Sequence, residues 1–143
     1  MSPEVFIADS DADIDACFPA YEALRPHLLR TDFVAQIRRQ QMQSFQLLAL
    51  RHDHIIKSAA GFRFGEFTAW GHLLYIDDLT TLPQYRSRGH AAQLLDWLVA
   101  HARQCGCDAI HLDTGYARHA AHRLYLNRGF VLASHHMKLD LKP

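Results

Sequence analysis

The chain begins with one short apolar run followed by two amphipathic stretches. Residues 5–9 predict a strand, and the acid-rich residues 10–15 supply capping side chains for a helix that Pro26 ends. Pro19 fits this helix only near its first turn, because a proline inside a helix removes a hydrogen bond and clashes with the preceding turn. Thr31 can cap a second helix that runs to about residue 43. Its predicted buried side is Val34, Ile37 and Met42.

The hydrophobic period then changes from that of a helix to that of strands. Residues 45–51 and 55–64 are strand-like runs, and the His52-Asp53-His54 segment between them suits the turn of an antiparallel hairpin. Residues 65–71 form a second connection, part of which can be strand.

Residues 72–112 have the pattern of a strand, a helix and a second strand. The first strand is residues 72–81 (HLLYIDDLTT), and a helix is predicted over about 88–105 with Gly106 in the left-handed position after it. The second strand is residues 109–112. Because strand–helix–strand crossovers are almost always right-handed, the two strands should lie parallel in one sheet.

The C-terminal part predicts one more helix, over about 116–128, which Gly129 ends. A last strand should follow, because Met137, Leu139 and Leu141 alternate with polar residues. Together the elements predict a mixed α/β (α+β) fold. Its central sheet is mixed and largely antiparallel, contains a parallel βαβ unit and has helices on both faces. We expect a single domain over residues 1–143.

The composition narrows the classes of partner. Fifteen Lys and Arg residues balance fifteen Asp and Glu residues, so no global field attracts nucleic acid or an anionic membrane. The chain lacks a signal-peptide pattern and any run of eighteen apolar residues, so we expect a cytoplasmic protein without a membrane partner. The three cysteines form no zinc pattern and the eleven histidines are scattered, so no metal is expected. A homodimer stays open.

The segment Arg86-Ser87-Arg88-Gly89 lies between the first strand and the helix of the βαβ pattern. A helix N-terminus carries unpaired N–H groups and a partial positive charge, which together attract anions. Gly89 lets a ligand approach the backbone, Ser87 adds a hydroxyl donor, and the two arginines match phosphate. An ordinary turn with solvated arginines is the alternative.

The longer string DLTTLPQYRSRGHAAQLLDWL, residues 78–98, resembles the signature of the GNAT superfamily of acyl-CoA-dependent N-acetyltransferases. In that family a loop of pattern [QR]-x-x-G-x-[GA] holds the pyrophosphate of coenzyme A, and residues 86–91 match it. A second string, AHRLYLNRGF at residues 121–130, resembles the family motif A-x-x-[LF]-Y-x-x-x-G-[FY]. The resemblance covers about residue 45 to the C-terminus and implies acetyl-CoA as co-substrate.

The resemblance also implies roles for individual residues. Tyr125 stands where the family has the tyrosine that protonates the departing thiolate, although this residue also fits a packing role. Asp77 is the candidate base, because IDDL is similar to the EDL of diamine acetyltransferases; the alternative is that Asp77 and Asp78 are solvated or ion-paired. Successive strand residues face opposite sides, so only one of the two should face the cleft. Arg118 replaces an asparagine common in the family and could meet a phosphate or an acidic substrate group. The implied coenzyme A contacts are Leu79, Thr80, Thr81, Arg86, Ser87, Arg88, Gly89, His90 and Ala91.

The expected function is transfer of an acetyl group from acetyl-CoA to a primary amine, by direct attack in a ternary complex. A small molecule is the expected amine, and a peptide or protein N-terminus is the alternative acceptor. Two alternatives without catalysis are an acyl-CoA-binding regulatory module and a histidine metal-binding module. A partly aromatic, weakly acidic pocket suited to a cationic amine could be formed by Tyr21, Phe33, Glu66, Phe67, Trp70 and Tyr116, although core packing explains most of these residues equally well.

Overall fold

The computed structural model describes residues 2–143, which divide into two compact units between Leu112 and Asp113. The strands are β1 (Glu4–Ile7), β2 (Gln46–His52), β3 (Ile55–Phe67), β4 (Gly71–Thr81) and β5 (Ala109–Leu112). The helices are α1 (Asp11–Ala16), α2 (Phe18–Leu24), α3 (Arg30–Gln41), α4 (His90–Gln104) and α5 (His119–Asn127), with a 3-10 turn at Pro83–Tyr85. That one domain spans the whole chain stays a prediction.

The first unit is built on one five-stranded sheet in the order β1-β2-β3-β4-β5. The first three pairings are antiparallel, and β4 pairs with β5 in parallel. The fold class is therefore confirmed, including the parallel βαβ unit from β4 through α4 to β5. Asp53 and His54 form the predicted hairpin turn, and both have positive φ angles, of 54° and 63°. Paired positive φ angles match the right-handed twist of the two strands.

Helices cover both faces of this sheet, as neighbouring residues of β3 show. A Cβ atom at Gly61 would collide with the side chains of Tyr21 in α2 and Phe45. The next residue, Phe62, instead contacts the rings of Trp97 and His101 in α4. Because successive strand residues point to opposite faces, α2 and α4 lie on opposite sides of the sheet. No helix formed by residues 2–143 is long and apolar enough to cross a membrane.

The N-terminal helices differ from the prediction in three respects. The predicted single helix is two helices, α1 and α2, and Pro19 is the second residue of α2, where its missing N–H costs nothing. Leu29, not Thr31, occupies the cap position of α3. Met42 is 87% exposed because α3 ends one residue before it, so the buried face of the helix is formed by Phe33 and Ile37.

The predicted last strand is wrong. Residues 130–143 have no regular secondary structure. Met137, Leu139 and Leu141 alternate as a strand would, yet their exposed fractions are 83% to 90%. An alternating pattern makes a strand only where a neighbouring strand accepts its hydrogen bonds, and none of the described residues pairs with this segment.

Candidate functional site

A β-bulge in β4 decides the direction of the two acidic residues. Gly61 pairs with Asp78, but the next residue of β3, Phe62, pairs with Ile76, so Asp77 is an extra residue in β4. Such an insertion lets two successive side chains emerge on the same face. The prediction that only one of the two aspartates faces the cleft is therefore wrong. Both face the α2 and α3 side and line one cavity.

Each aspartate is held by an arginine from another element. Arg63 of β3 donates to both carboxylate oxygens of Asp77, with nitrogen–oxygen distances of 2.5 to 3.1 Å. Arg25, at the C-terminal end of α2, donates from Nε and Nη2 to Asp78 at 3.1 and 2.8 Å. Burial raises the pKa of Asp77 above its ordinary value, because loss of solvation outweighs the opposite effect of the Arg63 charge.

The cavity has a volume of about 420 Å³, within the usual range for small-molecule pockets. Tyr21 and Phe33 line it, as predicted, but Glu66, Phe67 and Trp70 do not. Tyr116, in the second unit, is 90% exposed. The predicted weakly acidic wall is thus replaced by two arginines and two aspartates. The other lining residues are His27, Leu28, Gln36, Ile37 and Gln40.

The hydroxyl group of Tyr21 is an unusual part of this lining. Tyr21 is only 3% exposed, and its hydroxyl has no hydrogen-bond partner among the described residues. Burial, with the nearby Asp78 carboxylate as the next cause, raises the pKa of Tyr21 well above its ordinary value. The group therefore stays protonated and keeps a hydrogen that it can donate.

The edge of β4 that faces β5 is open next to this cavity. β5 pairs only with Leu73–Ile76, so no strand formed by residues 2–143 pairs with residues 77–81 on that side. The N–H of Leu82 donates to Lys57 on the β3 side, and backbone groups alternate in direction along a strand. The backbone groups of Leu79 and Thr81 therefore point to the open edge. The side chain of Thr80, between these two residues, does not take part in this edge, because its hydroxyl donates to the carbonyl of Ala20.

The turn before α4 has the geometry of an anion site. Ser87 and Gly89 both have positive φ angles, of 63° and 83°, which curve the backbone so that successive N–H groups converge. Gly89 caps α4 and has no side chain that could accept a hydrogen bond from the free N–H groups of the helix. A Cβ atom at Gly89 would meet nothing within 4 Å, so the space in front of the helix is open. These residues fit a diphosphate.

The side chains of Lys57, Arg88 and His90 lie in this turn or beside it. Lys57 is the one of the three that the sequence did not identify as a candidate. The ammonium group of Lys57 lies 4.3 Å from the ring centre of Tyr85, and the guanidinium of Arg88 lies 5.5 Å from it. His90 is only 7% exposed, and its Nε2 atom has no partner among residues 2–143. Burial first, and then the Lys57 charge, lowers the pKa of His90. Lys57 is the extra residue of a second bulge, in β3, which no sequence pattern marks.

The second unit contains Tyr125 and Arg118. Tyr125 lies in α5, is 7% exposed, and contacts the ring of Phe130 at 5.6 Å between ring centres. Burial raises the pKa of Tyr125, and the Arg118 charge opposes that effect. The Nε2 atom of His122, also in α5, lies 2.8 Å from the carbonyl oxygen of Gly115. No group of three or more metal-ligating side chains is found within the described part of the chain.

Comparisons with known proteins show a consistent likeness. Residues 12–130 match the acetyltransferase (GNAT) family. YhdJ, an uncharacterised N-acetyltransferase of Bacillus subtilis, is 33% identical over 96 residues, which are 66% of this chain and 68% of that protein. The aminoalkylphosphonate N-acetyltransferase of Salmonella typhimurium is 40% identical over 55 residues, 38% of this chain and 36% of that protein. The crystal structure of a predicted acetyltransferase from Clostridium acetobutylicum with acetyl-CoA has a TM-score of 0.75 at 18% identity, covering 98% of this chain and 97% of that one.

Proposed function

The chain belongs to the acetyltransferase (GNAT) family, and from that premise we propose that it acetylates a primary amine of a small molecule in a ternary complex with acetyl-CoA. The observation that carries the proposal is a cavity of about 420 Å³ whose carboxylates, Asp77 and Asp78, begin the open edge of β4. The cavity is small enough to favour a small molecule over a protein surface. The Salmonella relative, which acts on aminoalkylphosphonates, supports the same class of acceptor.

The turn before α4 is the proposed binding site for the diphosphate of the co-substrate. Ser87 and Gly89 present backbone N–H groups, and His90 and Ala91 continue them along the first turn of α4. Arg86 and Arg88 add positive charge within this turn, and Lys57, which also pairs with Asp53, contacts the ring of Tyr85 beside it. Arg118 is a further candidate contact by resemblance. Bound acetyl-CoA would supply the thioester carbonyl that the amine attacks, and the N–H groups of Leu79 and Thr81 on the open edge are the proposed donors that polarise it.

The amine must lose a proton before it can attack. An alkylammonium with a pKa near 10.4 is neutral in only about one molecule in a thousand at pH 7. Asp77 is the proposed base, directly or through water, because its pKa is raised by burial and its side chain lines the cavity. Asp78 would hold the ammonium group beside it. Arg63 must release Asp77, at least in part, before the carboxylate can accept a proton.

Tyr125 is the proposed acid that protonates the departing thiolate. Its pKa is raised by burial, so the phenol keeps its proton at neutral pH. We expect Tyr125→Phe to lower kcat by about a hundredfold, which is typical of losing a general acid, and to leave coenzyme A affinity unchanged. Release of free thiol from acetyl-CoA measures the rate, and calorimetry with coenzyme A measures the affinity.

Tyr116→Phe is the matched control, because Tyr116 is in the same unit but 90% exposed. Equal rates for the Tyr125 and Tyr116 variants would remove Tyr125 from the mechanism. The competing function is an acyl-CoA-binding module without turnover, which the pairing of both aspartates with arginines favours. Tight coenzyme A binding without thiol release on any amine of a broad panel would select that alternative.

A further inference from the structure

We propose that the acceptor is a zwitterion, a short molecule with a primary amine at one end and a carboxylate or phosphonate at the other. Asp77 and Asp78 receive the ammonium group, and Arg25 and Arg63 receive the anionic group. The inference rests on the proposed function, because it assigns the substrate class of the same cavity. It makes Arg25 and Arg63 specificity-determining residues.

The charge balance of the cavity is the first argument. Two guanidinium groups and two carboxylates line it, so its formal charge is zero when His27, which also lines it, is counted as neutral. A ligand with only positive charges would add unbalanced charge to a partly desolvated site, which is unfavourable. A zwitterion adds one charge of each sign and keeps the balance. The acceptor predicted from the sequence, a simple cationic amine, would suit an acidic pocket, whereas this pocket has no net charge.

The second argument is the exchange of ion pairs that a zwitterion permits. The Asp77 and Asp78 side chains are 18% and 12% exposed, so neither can lose its arginine to water cheaply. A ligand anion can take over Arg63 while the ligand ammonium takes over Asp77, so that every charge keeps a partner. The same exchange removes the guanidinium from Asp77, which is the step that the proposed base requires.

The third argument is that the cavity holds hydrogen-bond donors without acceptors. The hydroxyl of Tyr21 is buried in the cavity lining and makes no close hydrogen bond with a described residue, although the Asp78 carboxylate lies near it. Arg25 uses Nε and Nη2 for Asp78 and the carbonyl of Asp77, and no described residue accepts a hydrogen bond from its Nη1. Its side chain is 45% exposed, so that end is accessible. Carboxylate and phosphonate oxygens are acceptors that suit both groups.

A matched set of acceptors tests the proposal on the unmodified protein. There are two sets, one for each of two carbon-chain lengths. Within a set, every acceptor has the same carbon chain with a primary amine at one end. The other end is a carboxylate, a phosphonate, a methyl ester or a second amine. We expect kcat/KM for the carboxylate or phosphonate to exceed that for the ester and the diamine by about tenfold or more. The carboxylate and phosphonate arms show which anion is preferred. Equal or faster acetylation of the diamine overturns the proposal.

Arg25→Gln sharpens the test, because it removes one positive charge from the balanced cavity. Its kcat/KM for the anionic acceptor should fall by about tenfold, mainly through KM, while that for the diamine should rise. A loss of structure would lower both rates together. Arg30→Gln is the control, since Arg30 is paired with Asp15 and does not line the cavity.

A failure of the proposed function gives a different result from a failure of this inference. If no acceptor releases thiol from acetyl-CoA, calorimetry of the coenzyme A-loaded protein with each acceptor still tests the cavity. Binding of the carboxylate or phosphonate but not of the diamine, weakened in Arg25→Gln, supports the zwitterion without turnover. Tighter binding of the diamine, or no binding of either anionic acceptor at millimolar concentration, rejects it.

Discussion

At the residue scale, the extra residue in β4 controls the chemistry of the cavity. Ile76 pairs with Phe62 and faces α4, whereas Asp78 pairs with Gly61 and faces α2. In a regular strand these two residues would share a face, because side chains repeat every two positions. Asp77 between them shifts the alternation, so that a mainly apolar strand supplies two neighbouring carboxylates.

Gly61 opposite this bulge is required for packing. A Cβ atom there would overlap the Tyr21 hydroxyl and lie 2.5 Å from a ring carbon of Phe45. We therefore expect Gly61→Ala to lower the free energy of unfolding by roughly 1–3 kcal/mol, the usual effect of overpacking a core. Urea unfolding followed by circular dichroism measures it.

Gly65→Ala in the same strand is the control for Gly61→Ala. Its Cβ atom would approach only the ring of Phe67, which is half-exposed and can move. Its effect should stay below about 1 kcal/mol. A similar loss of stability in both variants contradicts the packing role of Gly61.

At the element scale, the packing of α4 orients the proposed diphosphate site, which lies at the N-terminus of this helix. Its apolar face, which includes Leu94 and Leu98, is buried, and this packing fixes the direction in which its N-terminus points. The helix has glycines with positive φ angles at both ends, Gly89 and Gly106, and a Cβ atom at either position would meet nothing within 4 Å. Only Gly89 lies in the proposed diphosphate site.

These two glycines give a matched pair of variants. Gly89→Glu should weaken coenzyme A binding by at least about a hundredfold, because it brings a carboxylate next to a diphosphate, and like charges in contact cost several kcal/mol. Gly106→Glu carries the same backbone strain and the same charge at the other end of the helix, and should bind normally. Calorimetry measures both affinities, and unchanged affinity in Gly89→Glu would falsify the site.

The order of the five strands and of α3 to α5 was predictable from the sequence, whereas the split of the first helix, the absence of a last strand and much of the site were not. The period of apolar residues marked β4, α4 and β5 within two residues of their ends, because those elements bury one face or both. The bulge at Asp77 leaves no such pattern, so the directions of the aspartates were missed. Two acids in an apolar strand already required basic partners, but Arg25 and Arg63 are fixed only by tertiary contacts.

At the scale of the whole molecule, charge is balanced globally and concentrated locally. The net formal charge is zero and the pI is about 7.2, so a global field does not attract an anionic co-substrate, and the proposed diphosphate site must act locally. Burial is equally uneven. Cys17 is in the main core cluster, whereas Cys105 is exposed and Cys107 is intermediate.

The order in which the three thiols react should therefore follow burial, and only Cys17 should report global unfolding. Burial raises the pKa of Cys17 to about 12, so on the order of one molecule in ten thousand carries the thiolate at pH 8. Iodoacetamide should label Cys105 first, then Cys107, whose pKa burial also raises, and Cys17 only in unfolding concentrations of urea. Peptide mass spectrometry gives the order. Labelling of Cys17 together with Cys105 in native buffer would contradict the burial of Cys17.

The surplus residue of β4 also makes this strand tolerant of shortening. Removing the Asp77 codon would leave the pairs on either side, Phe62 with Ile76 and Gly61 with Asp78, in a continuous ladder. Excision would thus straighten the main chain and delete one carboxylate, while any substitution at the same position keeps the kink. Among relatives that lack this acid, we therefore expect a one-residue deletion at this position as often as a substitution.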